Sequence, residues 1–223
     1  MEFFLDTADI DDILFYKEMN LVDGVTTNPA ILSKGKDDPI TQIKRIAEIV
    51  SGPISIEVTK EIPEEMIGQA ERLADLAENV LIKLPADRKG YLAAEALKKK
   101  GIKVNVTLIF HPTQALPFIR LGCEYISLFI GRVEDFGLSN MKMVGETRQT
   151  IDRLGSTSKV LAASMRHPEY ILEAINQGAD ALTVPPSAWE KVYSNPMFTM
   201  AEGEFMDSWR SLPENIRSEY EKF

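Results

Sequence analysis

A lysine interrupts an otherwise apolar run in the segment ENVLIKLPAD, residues 78–87. Leu81, Ile82 and Leu84 surround Lys83, so the chain places an ammonium group where it otherwise predicts a buried strand. Removal from water disfavours the charged form of an amine and lowers its pKa. The neutral amine can attack a carbonyl carbon and form a Schiff base. The segment therefore predicts imine chemistry at Lys83, with extension of the ammonium group to solvent as the structural alternative.

Two carboxylates and two guanidinium groups complement this lysine. Asp6 and Glu57 could move the protons that imine formation and hydrolysis require. Arg132 and Arg166 could bind a phosphate group through paired hydrogen bonds. Ser164 and the backbone N–H groups of a helix predicted to start near residue 167 would assist them. These residue types favour a carbonyl substrate that carries a phosphate.

Most of the candidate residues also have a purely structural interpretation. Asp6 is followed by a threonine and is typical of a helix cap, and Asn28 is followed by a proline and is typical of a turn. Glu57 could serve only to neutralise a buried lysine. Asn105 and Thr107 could be hydrogen-bonded polar residues of the core, and the two arginines could be surface cations.

Eight segments with strand character recur along the chain, and helical patterns separate them. Some helical patterns end at a glycine shortly before the next strand, as in ALKKKG before IKVNVTLIF. The predicted strands are residues 2–6, 24–28, 53–58, 79–84, 103–109, 124–130, 159–164 and 180–184. Eight such units predict an α/β protein, a (β/α)8 TIM barrel, rather than an open doubly wound sheet, and a sheet with fewer strands is the alternative. We expect one domain over residues 1–223, with residues 197–223 as a C-terminal helical extension.

Side chains alternate between the two faces of a strand, and one face of most predicted strands carries the polar residues. In strand 7, for example, Ala162 and Ser164 are predicted to face inward, opposite Leu161 and Ala163. The polar residues stand toward the carboxyl ends of the strands, where barrel enzymes have their active sites. The predicted inward set is Asp6, Asn28, Glu57, Lys83, Asn105, Thr107, Ser127 and Ser164. Their shared parity favours one common site over independent structural roles.

Composition argues against several classes of protein. Acidic residues number 34 and basic residues 25, and the sequence pI is near 4.9, which argues against nucleic-acid binding. A single cysteine cannot form an intrachain disulfide, and two histidines are too few for an obvious zinc site. No apolar run approaches the roughly 20 residues of a membrane span, and the N-terminus lacks the positive region of a signal peptide. We therefore expect a soluble cytoplasmic protein without a metal.

The candidate residues lie in motifs that resemble the transaldolase family, and in particular its short single-domain branch, which also contains fructose-6-phosphate aldolases. These motifs stand in family order over nearly the whole chain. They are FLDTAD, DGVTTNPA, IEV, LIKLP, GIKVNVTLIF, YISLFIGR, LAASMRHP and DALTVP. Each motif is weak alone, but eight in order are a strong resemblance.

The resemblance implies a class I mechanism without a cofactor, in which Lys83 forms a Schiff base with C2 of a ketose phosphate. Asp6 would accept the proton of the C4 hydroxyl as the C3–C4 bond breaks, and a dihydroxyacetone unit would stay on the lysine as an enamine. Glu57 would act through a water molecule, assisted by Thr107, during imine formation and hydrolysis. The implied substrate-binding residues are Asn28, Asn105, Ser127, Phe129, Arg132, Ser164 and Arg166.

By this resemblance the protein would be a transaldolase of the pentose phosphate pathway. It would pass the three-carbon unit from fructose 6-phosphate or sedoheptulose 7-phosphate to an aldose phosphate. The alternatives are an aldolase that releases free dihydroxyacetone and a non-catalytic barrel that binds a sugar phosphate. Glu57 and Phe129 resemble the transaldolase pattern, since aldolases tend to carry glutamine and tyrosine there, and Arg166 also favours transaldolase. The resemblance further implies a homo-oligomer, a pentamer or decamer.

Two places depart from the family pattern. Leu128 stands where a proline is usual, and Ala86 and Asp87 replace a more usual Met-Thr pair. We expect both places to lie at the rim of the site and to affect substrate preference rather than the type of reaction.

Overall fold

The computed structural model describes residues 1–35, 37–134 and 141–223, and its centre is a closed barrel of eight parallel strands. The strands are β1 (Glu2–Asp6), β2 (Gly24–Thr26), β3 (Ile54–Glu57), β4 (Val80–Pro85), β5 (Val104–Ile109), β6 (Tyr125–Phe129), β7 (Lys159–Ala163) and β8 (Ala181–Val184). Each strand pairs with the next in chain order, and β8 pairs with β1. The predicted (β/α)8 barrel is confirmed.

Helices follow the strands, and the described residues form twelve of them. They are α1 (Ile10–Glu18), α2 (Pro29–Leu32), α3 (Pro39–Ile49), α4 (Pro63–Ala74), α5 (Arg88–Lys99), α6 (Pro112–Leu121), α7 (Ile130–Glu134), α8 (Lys142–Leu154), α9 (Pro168–Asn176), α10 (Pro186–Tyr193), α11 (Pro196–Arg210) and α12 (Glu214–Tyr220). Many begin with a proline, which lacks the N–H that the first turn would leave unpaired. Asp9 and Asp38 cap α1 and α3 by accepting hydrogen bonds from backbone N–H groups.

An apolar layer fills the interior of the barrel. It consists of Phe4, Leu81, Tyr125, Leu161 and Ala181, one residue from each of five strands. The rings of Phe4 and Tyr125 pack with centroids 5.4 Å apart. Because side chains on one face of a strand recur every second residue, the next inward position on each strand lies closer to its carboxyl end. A second, more polar layer therefore stands on top of this apolar one.

The inward face predicted for β7 is wrong by one residue. Leu161 belongs to the inner layer, so Leu161 and Ala163 face the interior and Ala162 faces the helices. The prediction extended the strand through Ser164, whereas the strand ends at Ala163. Ser164 has a φ of 61°, in the left-handed region, and this turn of the backbone returns its side chain to the interior.

One extra residue interrupts the pairing of β5 with β6. Val106 lies opposite Ile126, but Ile109 lies opposite Leu128, so three steps along β5 correspond to two along β6. The irregularity contains Leu108, whose φ is 61° although it is not a glycine. Such a bulge changes the face on which all later side chains of the strand lie.

The chain divides into two compact units, Met1–Ala188 and Trp189–Phe223. The first unit contains the barrel. The second contains α11 and α12, and in it the ring of Trp209 packs against that of Tyr220 with centroids 5.0 Å apart. The additional C-terminal helix is confirmed as α11, while the short α12 was not predicted as a separate helix. The assignment of residues 1–223 to a single domain stays a prediction.

Candidate active site

A cavity of about 110 Å³ lies at the carboxyl ends of the strands. Nine of the eleven predicted site residues line it, all except Glu57 and Arg166. Its lining consists of Asp6, Thr26, Asn28, Lys83, Asn105, Thr107, Ser127, Phe129, Arg132, Ala163, Ser164 and Thr183. Five of these residues follow the five members of the apolar layer by two positions, so the period of the strands places them together.

Lys83 is buried, with only 5% of the residue exposed. Its Nζ lies 3.1 Å from Glu57 Oε2 and donates a hydrogen bond to the Thr27 carbonyl oxygen at 3.0 Å. Glu57 and Lys83 occupy opposite positions on β3 and β4, and Asn105 is the next partner on β5. The ammonium group therefore does not extend to solvent, and the ion pair proposed as a structural alternative is present.

Asp6 lies at the end of β1 and lines the same cavity. Burial raises the pKa of the Asp6 carboxyl above its usual value of 3.8, because desolvation disfavours the charged form. A hydrogen bond from Thr26 Oγ1 to Asp6 Oδ1 (2.7 Å) and the charge of Lys83 lower this pKa, while the charge of Glu57 raises it. The Thr26 hydroxyl also lies 2.6 Å from Thr183 Oγ1, which fixes its position.

A chain of hydrogen bonds orients the amide of Asn105. Ser127 Oγ donates to Asn105 Oδ1 at 2.6 Å, and Asn105 Nδ2 donates to Ser55 Oγ at 2.9 Å. Thr107, two residues further along β5, has a buried hydroxyl without a hydrogen-bond partner among the described residues. An unpaired buried hydroxyl is costly, so Thr107 is suited to bind a ligand or a water molecule.

Asn28 has a structural role in addition to its place in the cavity lining, and this role is a helix cap rather than the turn that its sequence suggested. Its Oδ1 accepts a hydrogen bond from the Ile31 backbone N–H at 2.9 Å and thereby caps α2. The same residue lines the cavity. The helix cap therefore fixes the orientation of a side chain that faces the site.

The two predicted arginines belong to segments that approach each other closely at Gly131. The Gly131 N–H donates to the Ser164 carbonyl oxygen at 3.1 Å, and a Cβ atom at Gly131 would lie 2.1 Å from that oxygen and 3.0 Å from Arg166 Cγ. Only a glycine permits this approach. Arg132 lines the cavity and is exposed, whereas Arg166 is half-buried and lies outside the lining.

Sequence reasoning missed three lining residues, Thr26, Ala163 and Thr183. Thr26 shares the inward face of its strand with Asn28, so its parity was sufficient to find it. Ala163 was placed on the wrong face of β7. Thr183 lies two residues after the inward Ala181 on β8, a strand whose faces had not been assigned.

The two departures from the family pattern lie mainly in structural positions. Leu128 is fully buried and belongs to the face of β6 opposite to Phe129, so its predicted position at the rim of the site is wrong. Asp87 caps α5 by accepting a hydrogen bond from the Gly90 N–H at 2.7 Å. Neither residue lines the cavity.

Comparison with known proteins identifies the family of the chain. Residues 3–217 match the family described as transaldolase/fructose-6-phosphate aldolase. The chain belongs to the transaldolase/fructose-6-phosphate aldolase family. A protein of Lactiplantibacillus plantarum named probable transaldolase is 42% identical over 212 residues, which cover 95% of this chain and 98% of that protein. A protein of Methanococcus maripaludis with the same name is 40% identical over 211 residues, which cover 95% and 98% of the two chains.

Solved structures support the fold of this family member at much lower identity. The N-acetylmannosamine-6-phosphate 2-epimerase from Clostridium perfringens superposes with a TM-score of 0.55 at 16% identity, over 79% of this chain and 77% of that chain. At this identity the likeness shows the barrel fold alone.

Among residues 1–35, 37–134 and 141–223, no group of three or more His, Cys, Asp or Glu side chains could hold a metal ion. No helix in the same ranges combines the length and apolar character that a bilayer-spanning segment needs.

Removal of the Thr26 hydroxyl should raise the pKa of Asp6 further. Thr26→Val preserves the shape of the side chain but removes a hydrogen bond that favours the carboxylate. We expect the midpoint of the Asp6 titration, followed by NMR of ¹³C-labelled aspartate and assigned with Asp6→Asn, to move to higher pH. Thr26→Ser retains the donor and should keep the midpoint of the unchanged protein. The same midpoint in all three proteins would contradict the role given to this hydrogen bond.

Proposed function

We propose that this protein is a transaldolase that transfers a dihydroxyacetone unit from a ketose phosphate, such as fructose 6-phosphate or sedoheptulose 7-phosphate, to an aldose phosphate. The unit is carried as a Schiff base on Lys83. The observation that carries this proposal is a buried lysine that contacts one carboxylate, Glu57, and shares its cavity with a second, Asp6. Imine catalysis needs a nucleophilic amine and groups that transfer protons at several steps, and these three residues can supply both.

Imine formation begins with removal of a proton from Lys83. Glu57 is its acceptor, since Oε2 lies 3.1 Å from Nζ. The free amine attacks C2 of the ketose, and the carbinolamine that forms loses its hydroxyl group as water. Glu57 returns the proton for this departure through a water molecule held by the unpaired hydroxyl of Thr107. The reverse sequence hydrolyses the imine.

Cleavage of the C3–C4 bond requires a base for the C4 hydroxyl. Asp6 takes this proton, the C4 oxygen becomes an aldehyde, and the bonding electrons move into the imine to give an enamine. Burial favours the protonated form of Asp6, so the carboxyl retains the proton while one aldehyde leaves and another binds. Asp6 then donates it to the oxygen of the acceptor as the new carbon–carbon bond forms.

The remaining residues bind the substrate. Asn28, Asn105 and Ser127 hold hydroxyl groups of the three-carbon unit, and the hydrogen bonds within the site keep Asn105 in one orientation. A cavity of about 110 Å³ suits a small unit of this kind, since pockets for whole drug-sized ligands span roughly 300–1,000 Å³. The rest of the sugar extends out of the cavity, and Arg132, Arg166 and Ser164 bind its phosphate.

We also propose that the protein is a cytoplasmic homo-oligomer, a pentamer or decamer, that acts in the pentose phosphate pathway without a cofactor. The C-terminal unit supports association. Met197, Phe198 and Phe205 of α11 are 72%, 61% and 74% exposed, respectively. Exposed apolar patches on a helix are typical of interfaces between proteins.

Borohydride reduction in the presence of fructose 6-phosphate should attach a three-carbon or six-carbon adduct to Lys83, read by peptide mass spectrometry. Lys83→Met should form none, because the nucleophile is missing. The expected adduct would support imine catalysis. Saturable binding of fructose 6-phosphate without an adduct would contradict the proposal and favour a barrel that only binds sugar phosphates.

Loss of the Arg132 guanidinium should weaken the binding of phosphorylated donors selectively. A hydrogen bond between charged groups contributes about 1.5–3 kcal/mol, so Arg132→Ala should raise KM for fructose 6-phosphate by roughly 10- to 100-fold. KM for dihydroxyacetone as donor should change little. Arg120→Ala on α6 is the control, since that arginine is exposed and does not line the cavity. An equal change for both donors would remove the phosphate role of Arg132.

Phe129→Tyr should shift the enzyme from transfer toward release. A phenol hydroxyl at this position of the lining could hold a water molecule that protonates and hydrolyses the enamine, and phenylalanine cannot. We expect the rate of dihydroxyacetone release without an acceptor to rise several-fold, measured by a coupled reduction assay. Phe129→Leu, which also lacks a hydroxyl, should not raise it. No rise in the tyrosine variant would refute this account of transfer against release.

A further inference from the structure

Two phenylalanine rings meet at one side of the site. The ring of Phe110 packs edge-on against that of Phe129, with centroids 5.7 Å apart and planes at 75°. Phe129 lines the cavity, whereas Phe110 is 38% exposed and lies outside the lining. The outer ring therefore separates part of the inner ring from solvent.

The extra residue in β5 places Phe110 on this side of the barrel. Thr107 faces the cavity, and in a regular strand the inward positions after it would be residues 109 and 111. Because β5 contains one residue more than its partner, Ile109 instead pairs with Leu128 on the outer face. Phe110 then falls on the inward face, where it meets Phe129.

The backbone of Phe110 is held on both sides. Before it, Leu108 adopts the left-handed conformation with φ 61°. After it, Gln114 Oε1 accepts hydrogen bonds from the N–H groups of Phe110 (2.8 Å) and His111 (3.0 Å), as part of the capping box of α6. These constraints fix the backbone from which the Phe110 side chain reaches Phe129.

We propose that Phe110 is a further specificity-determining residue, which favours transfer over release by keeping water away from the enamine beside Phe129. This inference rests on the proposed transaldolase function. An aromatic ring at this place offers no donor or acceptor to an ordered water molecule, and exclusion of water protects reactive intermediates from hydrolysis. By this role Phe110 favours reaction of the enamine with the acceptor aldehyde over its reaction with water.

The two competing reactions differ in whether the enamine itself must meet a water molecule. Release requires a proton at C3 of the enamine, which a water molecule beside Phe129 donates while Asp6 gives that water the proton taken from the C4 hydroxyl. The carbon–carbon double bond thereby becomes a C–H bond and an iminium group. A water molecule then adds to C2, the C–N bond to Lys83 breaks, and free dihydroxyacetone and the amine form. Transfer instead joins C3 to the aldehyde carbon of the acceptor, and the same proton goes to the aldehyde oxygen. Both products leave Lys83 by hydrolysis of an imine, so the two reactions differ at the enamine: release needs a water molecule there to deliver the proton to C3, and transfer does not.

The test measures the ratio of dihydroxyacetone release to transfer with fructose 6-phosphate as donor and erythrose 4-phosphate as acceptor. Phe110→Ala uncovers Phe129, so this ratio should rise several-fold relative to the unchanged protein. Phe110→Leu keeps an apolar cover and should give a smaller rise. Leu116→Ala is the matched control, since Leu116 is 39% exposed on α6 and does not line the cavity. Its ratio should stay that of the unchanged protein.

Failure of this inference can be distinguished from failure of the proposed function. Suppose that the unchanged protein transfers the three-carbon unit and that the Phe110 variants have the same ratio of release to transfer as the unchanged protein. The role of Phe110 is then refuted while the function stands. If the unchanged protein forms no adduct on Lys83, the function itself is refuted and this inference with it. If Phe110→Ala does not fold, Phe110→Leu decides, and an unchanged ratio in that variant overturns the proposal.

Discussion

The charge of Lys83 is the constraint on which the rest of the site depends. Its ammonium group is almost fully removed from solvent, and transfer of an unpaired ion from water into protein costs several kcal/mol. Glu57 on β3 and the Thr27 carbonyl after β2 offset this cost from two sides. A closed barrel permits this arrangement because the neighbouring strands place partners at the same height as the lysine. Of these two partners, Glu57 both makes the lysine tolerable in the fold and accepts its proton in the proposed reaction.

The two carboxylates of the site have different surroundings, and the difference suits different tasks. Glu57 contacts the ammonium group of Lys83 directly. Asp6 accepts a hydrogen bond from Thr26, but desolvation is the larger influence and raises its pKa. Two titratable groups with unlike environments are typical of acid–base pairs in enzymes. The ion pair is suited to starting and ending the imine, and the desolvated carboxyl is suited to holding a proton between departure of one aldehyde and arrival of the next.

Much of this arrangement could be predicted from alternation along the strands. Parity alone placed Asp6, Lys83 and Ser127 on the inward face, because their strands are regular up to these positions. It failed where the backbone departs from a regular strand. The turn at Ser164 and the extra residue at Leu108 have no signal in the sequence, since neither position is a glycine and the left-handed conformation is imposed by the surrounding barrel. Hydrogen bonds between strands that do not pair with each other, such as that from Asn105 on β5 to Ser55 on β3, also depend on closure of the barrel and not on the local sequence pattern.

These two irregular positions flank β6 on both sides. A left-handed conformation at a residue other than glycine costs of the order of 1–3 kcal/mol and persists where the surrounding structure requires it. A glycine would adopt the left-handed conformation more easily, so either the side chain or the altered register must offset the energetic cost at these two positions. At Ser164 the side chain does, since it brings a hydroxyl group into the cavity lining. At Leu108 the side chain is exposed, so the compensation comes from the change of register between β5 and β6. Without this change Thr107 would still face the cavity, but Phe110 would lie on the outer face of the strand. Phe129 would then lose the ring that covers it.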